Sequence, residues 1–176
     1  GIDLYPTSGT RITATVFQRR EKNDIDYVRT SLNSPWQATN FDRLHFTGAE
    51  LAFEARLKKS QQLGIQYTAL HGDQEVSSGA QAKYLFSYPR EEAIASWQIL
   101  STRGLLARTR VGVTNRFNQR AYALWDVDLA WREKRIRPYL QLRNLSNTSY
   151  QEIVNVAMPG RSALVGIELC LVCPRR

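Results

Sequence analysis

The stretch ALWDVDLAWR, residues 123–132, alternates apolar and polar side chains almost without interruption. Ala, Trp, Val, Leu and Trp occupy the odd positions, whereas Asp126, Asp128 and Arg132 lie among the even ones. Successive side chains of a strand point to opposite faces, so this period of two predicts a β-strand with one apolar and one charged face. The rest of the chain has no long, capped helical stripe, and the fold class is therefore predicted to be all-β.

The same alternation recurs along the chain and predicts about eight strands: 11–28, 41–57, 61–71, 83–100, 105–115, 121–132, 135–147 and 161–171. Their connections alternate in length, being short at 58–60, 102–103 and 133–134 and longer at 29–40, 72–82, 116–120 and 148–160. Antiparallel strands with short turns at one end and long loops at the other are typical of a transmembrane up-and-down β-barrel. Many of these runs exceed the usual length of strands in globular proteins and fit the roughly 9–11 residues that cross a bilayer at a tilt.

The two predicted faces differ in chemistry. Tyr67, Trp97, Trp125 and Trp131 fall on the apolar face, as in the aromatic girdles of membrane barrels. The opposite face is charged or polar and is predicted to line a lumen: Glu50, Glu54, Arg56, Arg108, Arg110, Asp126, Asp128, Arg137, Gln141 and Arg143. Neighbouring strands are expected to set Arg108 and Arg110 near the two aspartates, and the aspartates near Arg137. Burying such charges in a dry core would be costly, so this face requires water or a polar plug.

Composition limits the classes of function. The net charge of +8 and the pI of about 9.8 suit anionic partners, but the basic residues are dispersed, and no nucleic acid is expected. No run approaches the roughly 18 apolar residues of a membrane helix. The start, GIDLYPTSGTR, has neither a secretory signal nor an initiator Met, so the chain is interpreted as a piece of a longer protein.

Catalytic chemistry finds no support in the sequence. The two histidines, His45 and His71, lie in different predicted strands, and no catalytic or phosphate-binding motif is present. The chain is therefore predicted to be neither an enzyme nor a holder of a cofactor or metal. The basic residues of the loops are candidates for contact with lipopolysaccharide phosphates or an anionic ligand such as a ferric chelate: Arg29, Lys83, Arg90, Arg116 and Arg120.

Residues 144–169 read NLSNTSYQEIVNVAMPGRSALVGIEL and resemble the C-terminal signature of TonB-dependent outer-membrane receptors. The family pattern is NL-x-[ND]-x-x-Y, a loop, PGR and a last strand, and it is matched by Asn144, Leu145, Asn147, Tyr150, Pro159, Gly160 and Arg161. TGAELAFEARL (47–57, with Gly48 and Glu50), VFQRREKNDIDYV (16–28) and KYLFSYPREEAIASW (83–97, with Pro89) are similar to further segments of the family, in the family's order.

The resemblance implies an active transporter in the bacterial outer membrane, closest to the receptors of the siderophore and cobalamin type. Such receptors form a 22-stranded barrel closed by their own plug domain. They bind a small molecule or metal chelate between loops and plug, and draw energy from TonB. Residues 1–176 would then be a C-terminal segment of the barrel, without the plug and the N-terminal strands. The end, LCLVCPRR (169–176), departs from the terminal aromatic residue that the family's barrels usually carry.

Two other hypotheses remain open from the residues alone. One is a complete eight-stranded outer-membrane barrel, adhesin-like or porin-like or an enzyme, although so narrow a lumen has little room for the many long charged side chains. The other is a soluble basic β-protein, which would need aromatic and basic residues on one face to bind nucleic acid. If the chain is instead a barrel segment, it is expected to fold poorly by itself, since open strand edges are not tolerated in lipid.

Overall fold

The computed structural model describes residues 1–31, 33–41, 43–73, 81–83, 88–117, 119–132, 135–153 and 155–170. All regular structure in these ranges is β: β1 (Ile2–Thr7), β2 (Thr10–Glu21), β3 (Asp24–Arg29), β4 (Gln37–Phe41), β5 (Leu44–Lys58), β6 (Gln61–Asp73), β7 (Gln81–Ala82), β8 (Pro89–Leu100), β9 (Leu105–Arg116), β10 (Tyr122–Trp131), β11 (Ile136–Arg143), β12 (Gln151–Ile153), β13 (Val156–Ala157) and β14 (Ser162–Leu169). Within the described part, no helix is long and apolar enough to cross a membrane.

Nine strands form one antiparallel sheet in the order β1-β2-β5-β6-β8-β9-β10-β11-β14. Each strand pairs with the strand that precedes or follows it once the loop strands are set aside, which is an up-and-down meander. Two small sheets lie in the loops, β4-β3-β7 and β12-β13. The main sheet has two edges, β1 and β14, so the described strands form an open barrel segment rather than a closed eight-stranded barrel.

The register divides the main sheet into two faces of different chemistry. We call the face with Glu54, Arg108 and Asp126 the polar face and the face with Leu51 and Trp125 the apolar face, since the pairing carries each set across neighbouring strands. Large apolar side chains on this face are exposed on all nine strands of the main sheet: Ile2, Leu4, Val16, Leu51, Leu57, Ile65, Tyr67, Trp97, Leu105, Val111, Val113, Trp125, Ile136, Val165, Ile167 and Leu169. An exposed apolar surface of this extent marks an interaction surface rather than a wetted one.

The strand boundaries differ from the sequence prediction at specific points. The predicted strand 11–28 is two strands, because Asn23 has a positive φ of 59° that ends β2 before the chain enters the loop sheet. The predicted strand 135–147 ends at Arg143, since Asn144 also has a positive φ. β1 was not predicted. The short turn at 133–134 and the chain end at 171–176 lie outside the described residues.

A small hydrophobic core supports the loop sheet at one end of the main sheet. Leu44 and Phe46 of β5 and Ala82 of β7 are buried together, and partly buried apolar side chains surround them: Val28, Phe41, Leu70, Tyr88 and Phe117. Leu44 and Phe46 alternate with His45, and their parity places them on the polar face. The β4-β3-β7 sheet therefore packs over the polar face rather than over the apolar one.

Candidate functional site

The ten residues predicted to line a lumen all fall on the polar face by the pairing register. Arg110 lies opposite Asp126 and Arg108 opposite Asp128, as the sequence predicted. Arg110 Nη1 lies 3.9 Å from Asp126 Oδ2. Opposed charges on adjacent strands are favourable where water reaches them, so this ladder suits a hydrated surface.

Arg137 does not join the two aspartates, which corrects the sequence prediction. The register sets Gln141, not Arg137, opposite Asp128, and Arg143 Nη2 reaches Asp128 Oδ1 at 2.7 Å. Arg137 instead pairs with Glu168 on β14, with 3.1 Å between Nη1 and Oε1. The ionic ladder therefore continues to β14, the last strand of the sheet.

A cavity of about 420 Å³ opens on the polar face near the short turns. Its lining includes long charged or amide side chains from five strands: Arg11, Glu54, Arg56, Gln62, Gln98 and Arg108. Arg11 is held by Asp3 of β1, with 3.1 Å between Nη2 and Oδ1. Such a surface is polar enough to contact water or a polar protein segment.

Aromatic and cationic side chains meet on the loop sheet at the other end of the polar face. The Arg29 guanidinium lies 4.5 Å from the centre of the Trp36 ring. Lys83 Nζ lies 5.9 Å from the rings of both Trp36 and Tyr27. We call Tyr27, Arg29, Trp36 and Lys83 the loop cluster. Cations over aromatic faces keep a positive charge at a surface that also offers flat rings for stacking.

The hydrophobic core beneath the loop cluster fixes its position. Tyr88 stacks on Phe117 at 5.9 Å and meets Phe46 edge to face at 5.5 Å between ring centres. The Tyr88 hydroxyl also accepts a hydrogen bond of 3.0 Å from Gly72 N. The connections before β8 and after β9 are thereby joined to β5 and β6. Val28, the chain neighbour of Tyr27 and Arg29, packs against the same core.

The family motif is built around one buried side chain, Asn144, which is 4% exposed. Its amide donates to Thr148 O at 2.9 Å and to Pro159 O at 3.2 Å, and its Oδ1 accepts from Thr148 N and Ser146 Oγ. Its own backbone N–H donates to Asp126 Oδ1 at 2.9 Å. The asparagine therefore ties β10, the turn after β11 and the PGR segment together.

The other motif residues complete this connection. Leu145 N donates to Trp125 O at 2.7 Å, and Asn147 Oδ1 accepts a hydrogen bond from Arg161 N at 3.3 Å. The Cβ position of Gly160 lies 3.3 Å from the same Asn147 oxygen, so the absent side chain leaves room for this approach. Tyr150 packs on Tyr122, with ring centres 4.7 Å apart. These contacts of the motif stabilise the fold.

Burial raises the pKa of the Tyr150 hydroxyl above its ordinary value, and the carboxylate of Glu152 adds to the effect. Both act against the negatively charged phenolate form. Arg116 acts in the opposite direction but is the smallest contribution.

The two histidines, predicted on separate strands, meet through a residue that the sequence analysis did not single out. Asp73 Oδ2 lies 3.5 Å from His45 Nδ1, and Asp73 Oδ1 lies 3.4 Å from His71 Nε2. Asp73 is the direct cross-strand neighbour of His45, and it lies beyond the predicted strand 61–71, so only the register of β5 with β6 reveals the contact. In the described ranges, no group of three or more His, Cys, Asp or Glu side chains could hold a metal ion.

The loop cations predicted to meet anions occupy different surroundings. Arg29 and Lys83 belong to the loop cluster. Arg116 lies on the polar face and donates from Nε to the Tyr122 hydroxyl at 3.1 Å. Arg90 and Arg120 are exposed near the starts of β8 and β10. They do not form one patch.

Comparison with known proteins identifies relatives of this architecture. The profile of one protein family, described as "TonB dependent receptor-like, beta-barrel", matches residues 1–145. The structure is similar to one titled "Copper transporter OprC", with a TM-score of 0.71 and 19% identity over 94% of this chain and 30% of that one. No curated protein matches the chain in sequence.

Two further solved structures share the fold. The ferric-catecholate import receptor Fiu from E. coli K12 has a TM-score of 0.62 and 14% identity over 92% of this chain and 25% of its own. The ferric yersiniabactin uptake receptor FyuA from Yersinia pestis has a TM-score of 0.51 and 17% identity over 93% of this chain and 34% of its own. The chain therefore spans about a quarter to a third of the length of these structures.

Proposed function

The chain belongs to the TonB-dependent receptor-like β-barrel family, and on this premise we propose that it forms part of the barrel wall of a receptor for active uptake of a scarce ligand. Barrels of this family reside in the bacterial outer membrane, which accounts for the exposed apolar face on all nine strands of the main sheet. The proposed role is transport and not catalysis.

The polar face is proposed to line the lumen and to contact the receptor's own plug domain. The single observation that carries this proposal is the segregation of charge: the ionic ladder and the polar cavity share one face, and exposed apolar side chains share the other. A charged surface in lipid would be strongly unfavourable, whereas a plug or water in the lumen satisfies it. Energy is proposed to come from the TonB system through parts of the receptor beyond this segment.

The loop cluster is proposed to lie on the extracellular side. In outer-membrane barrels the short turns face the periplasm and the longer loops face outward. The connections at residues 8–9, 59–60 and 101–104 lie at one end, and the loop sheet, the core beneath it and the PGR segment lie at the other.

We propose an anionic metal chelate, such as a ferric siderophore, as the ligand. The loop cluster supports this class because it combines flat aromatic rings with two cations, which suits a negatively charged chelate with planar groups. Cobalamin is the second candidate from the sequence. It has less need than an anionic chelate for the two cations of the loop cluster, Arg29 and Lys83.

Uptake of labelled ligands by cells that express the receptor tests this proposal. Ferric catecholate, ferric yersiniabactin, copper and cobalamin are compared in cells with and without TonB. We expect TonB-dependent accumulation of an anionic ferric chelate, and a loss of about tenfold in apparent affinity for Trp36→Ala with Lys83→Gln.

Lys59→Gln is the matched control, because Lys59 is exposed in a short turn at the opposite end. Accumulation that persists without TonB would contradict active transport. Equal uptake by the double variant and by the control would show that the loop cluster is not part of the ligand site. It would not contradict the proposal of active transport.

A further inference from the structure

Four side chains with hydrogen-bond donors lie side by side on the polar face, near the short turns. The register pairs each with the next across β5, β6, β8 and β9. We call this row the donor rung, and it consists of Arg56, Gln62, Gln98 and Arg108. Neighbouring strands lie about 4.8 Å apart, so the backbones of the two arginines are separated by about 14 Å, with the two amides between them. All four side chains line the cavity of about 420 Å³.

The cavity beside the donor rung exists because the next rung carries short side chains at its centre. Gly64 and Ser96 are cross-strand neighbours there, between Glu54 and Arg110. A Cβ at position 64 would lie 2.9 Å from Ser96 Oγ, so even an alanine would crowd this space. The two small residues therefore leave room beside the amides of the donor rung for a bound polar group.

The arginines of the donor rung carry charge that the described part of the wall does not neutralise. Among the described residues, Arg56 and Arg108 form no ion pair, whereas four other arginines of the polar face do: Arg11, Arg110, Arg137 and Arg143. Asp128 lies opposite Arg108, but its Oδ1 is 2.7 Å from Arg143 Nη2. Glu54 is the one carboxylate among the described lining residues, and it lies opposite Arg11. The cavity lining is therefore positively charged.

The undescribed residues at this end do not reverse that charge. Glu133 and Lys134, which follow β10, lie outside the described residues and carry opposite charges. Their charges cancel in sum, so the cations of the cavity lining remain in excess.

The middle of the polar face has the opposite charge. Three rungs from the donor rung lies an acidic rung, which consists of Glu50, Thr68, Glu92 and Thr114. Glu92 accepts a hydrogen bond of 3.1 Å from Thr114 Oγ1, and neither glutamate forms an ion pair within the described ranges. An anion that passes from the loop cluster toward the periplasm is therefore disfavoured beside the acidic rung and favoured at the donor rung beyond it.

We propose that the donor rung binds the anionic groups of the transported metal chelate on its way to the periplasm. Guanidinium groups form strong, charge-assisted hydrogen bonds with anionic oxygens, and the amide N–H groups of the two glutamines can donate to the same chelate. The donor rung lies at the opposite end of the polar face from the loop cluster, so it acts after the chelate has bound at the loops. The inference rests on the proposed function, because it takes an anionic chelate as the ligand.

TonB-dependent uptake of ferric catecholate by cells that express the full receptor tests this assignment. Arg56→Gln with Arg108→Gln removes both cations and keeps amide donors in their place. We expect the maximal uptake rate to fall about fivefold, because the charge of the chelate is no longer compensated in the lumen. The Kd of the chelate at the cell surface should stay within about twofold, because the loop cluster is unchanged. Arg56→Lys with Arg108→Lys preserves the charge and is expected to retain most of the rate.

Lys59→Gln is the matched control, since Lys59 is an exposed cation at the same end of the sheet but outside the cavity lining. We expect this variant to transport at the rate of the unaltered receptor. An unchanged rate in the double variant would overturn the proposal, as would an equal loss of rate in the control. A matching loss of surface affinity in the double variant would also overturn it, because the donor rung would then act in the first binding step.

A carboxylate of the plug domain is the alternative occupant of the donor rung. The conductance of the purified full receptor in planar bilayers distinguishes the two occupants, because a loosened plug admits ions. We expect the double variant to conduct no more than the unaltered receptor. A raised conductance would overturn the assignment to the chelate and would favour the plug.

Heat-modifiable migration of each variant shows that its barrel has assembled, so a slower uptake is read only from folded protein. Failure of the unaltered receptor to take up ferric catecholate would contradict both this inference and the proposed ligand class. Uptake by the unaltered receptor and equally fast uptake by the double variant would contradict the inference alone.

Discussion

Asn144 holds the end of β11 through both its backbone and its side chain. Its positive φ of 50° turns the chain out of the sheet, a conformation that asparagine adopts more readily than most residues. Its buried amide then joins backbone groups on both sides of the loop that follows. The motif that resembles the family's C-terminal signature therefore holds together the start of the last long loop.

Asn144→Ala is expected to lower the free energy of unfolding by about 2–4 kcal/mol. The substitution leaves Thr148 N without its buried acceptor and Pro159 O without its donor, and it keeps the strained φ. Urea unfolding of the full receptor in lipid vesicles measures the change.

Asn155→Ala provides the control, because Asn155 has a positive φ of 66° but is exposed and outside this network. It is expected to cost about 1 kcal/mol, from backbone strain alone. If the two variants lost equal stability, the hydrogen-bond network would contribute nothing beyond the conformation of residue 144.

Tyr150 is expected to ionise at higher pH than an exposed tyrosine. Since its pKa is raised in the folded state, the protonated hydroxyl contributes stability below the unfolded value near 10, and that contribution is lost as pH rises through the folded pKa. Absorbance at 295 nm should show one late-titrating tyrosine that disappears in Tyr150→Phe. An unchanged titration curve in that variant would contradict the raised pKa.

At the scale of the strand, two glycines lie under aromatic rings of the neighbouring strand. A Cβ at Gly48 would overlap the ring of Phe17, and a Cβ at Gly166 would overlap the ring of Tyr139. Both pairs are direct cross-strand neighbours on the polar face. The ring of Phe17 therefore explains why position 48, in the TGAELAFEARL segment, is a glycine.

Gly48→Ala is expected to destabilise the barrel by about 1–3 kcal/mol, because Phe17 must leave its position over the β5 backbone. Gly112→Ala on the same face is the control, since the nearest atom to its Cβ position is Ile94 Cγ1 at 3.9 Å, an ordinary contact. Denaturant unfolding of both variants measures the difference. Equal stability of the two would show that Phe17 moves aside at no cost.

Strands with a continuous period of two were predictable, whereas the loop strands were not. β9 and β10 match their predicted bounds within a residue, because the alternation of apolar and polar side chains continues along the whole of each strand. β3 and β7 pair only through Val28 with Ala82 and Arg29 with Gln81, and nothing local to either segment signals the other. β1 was missed because Pro6 and a short run conceal its alternation. Similarly, the C-terminal motif was recognisable from its residue types. The hydrogen bond from Asn144 N to Asp126 was not predictable, because Asp126 lies on another strand.

For the whole molecule, the division of faces sets where charge is tolerated. Ile65→Arg and Gln66→Arg place the same side chain on opposite faces of β6 at adjacent positions. We expect Ile65→Arg to cost about 2–4 kcal/mol, as for a cation near the bilayer midplane. Gln66→Arg should change stability by less than about 1 kcal/mol, because its face is polar and hydrated.

Unfolding of both variants in lipid vesicles measures this difference. It also distinguishes the membrane barrel from a soluble sheet, in which an exposed isoleucine could be replaced by arginine at little cost. Comparable stability of the two variants would favour the soluble interpretation and contradict the assignment of the faces.

The pairing of β3 with β7 couples the sequences of two loops of this chain. Because β3 also pairs with β4, the segments 24–29, 37–41 and 81–82 form one sheet, although they belong to two separate loops. An insertion that shifts the strand of one loop by a single residue would reverse which of its own side chains face inward and would change its pairing with the other loop. The two loops are therefore expected to diversify together during evolution, and a new specificity should be grafted by transplanting both as a unit.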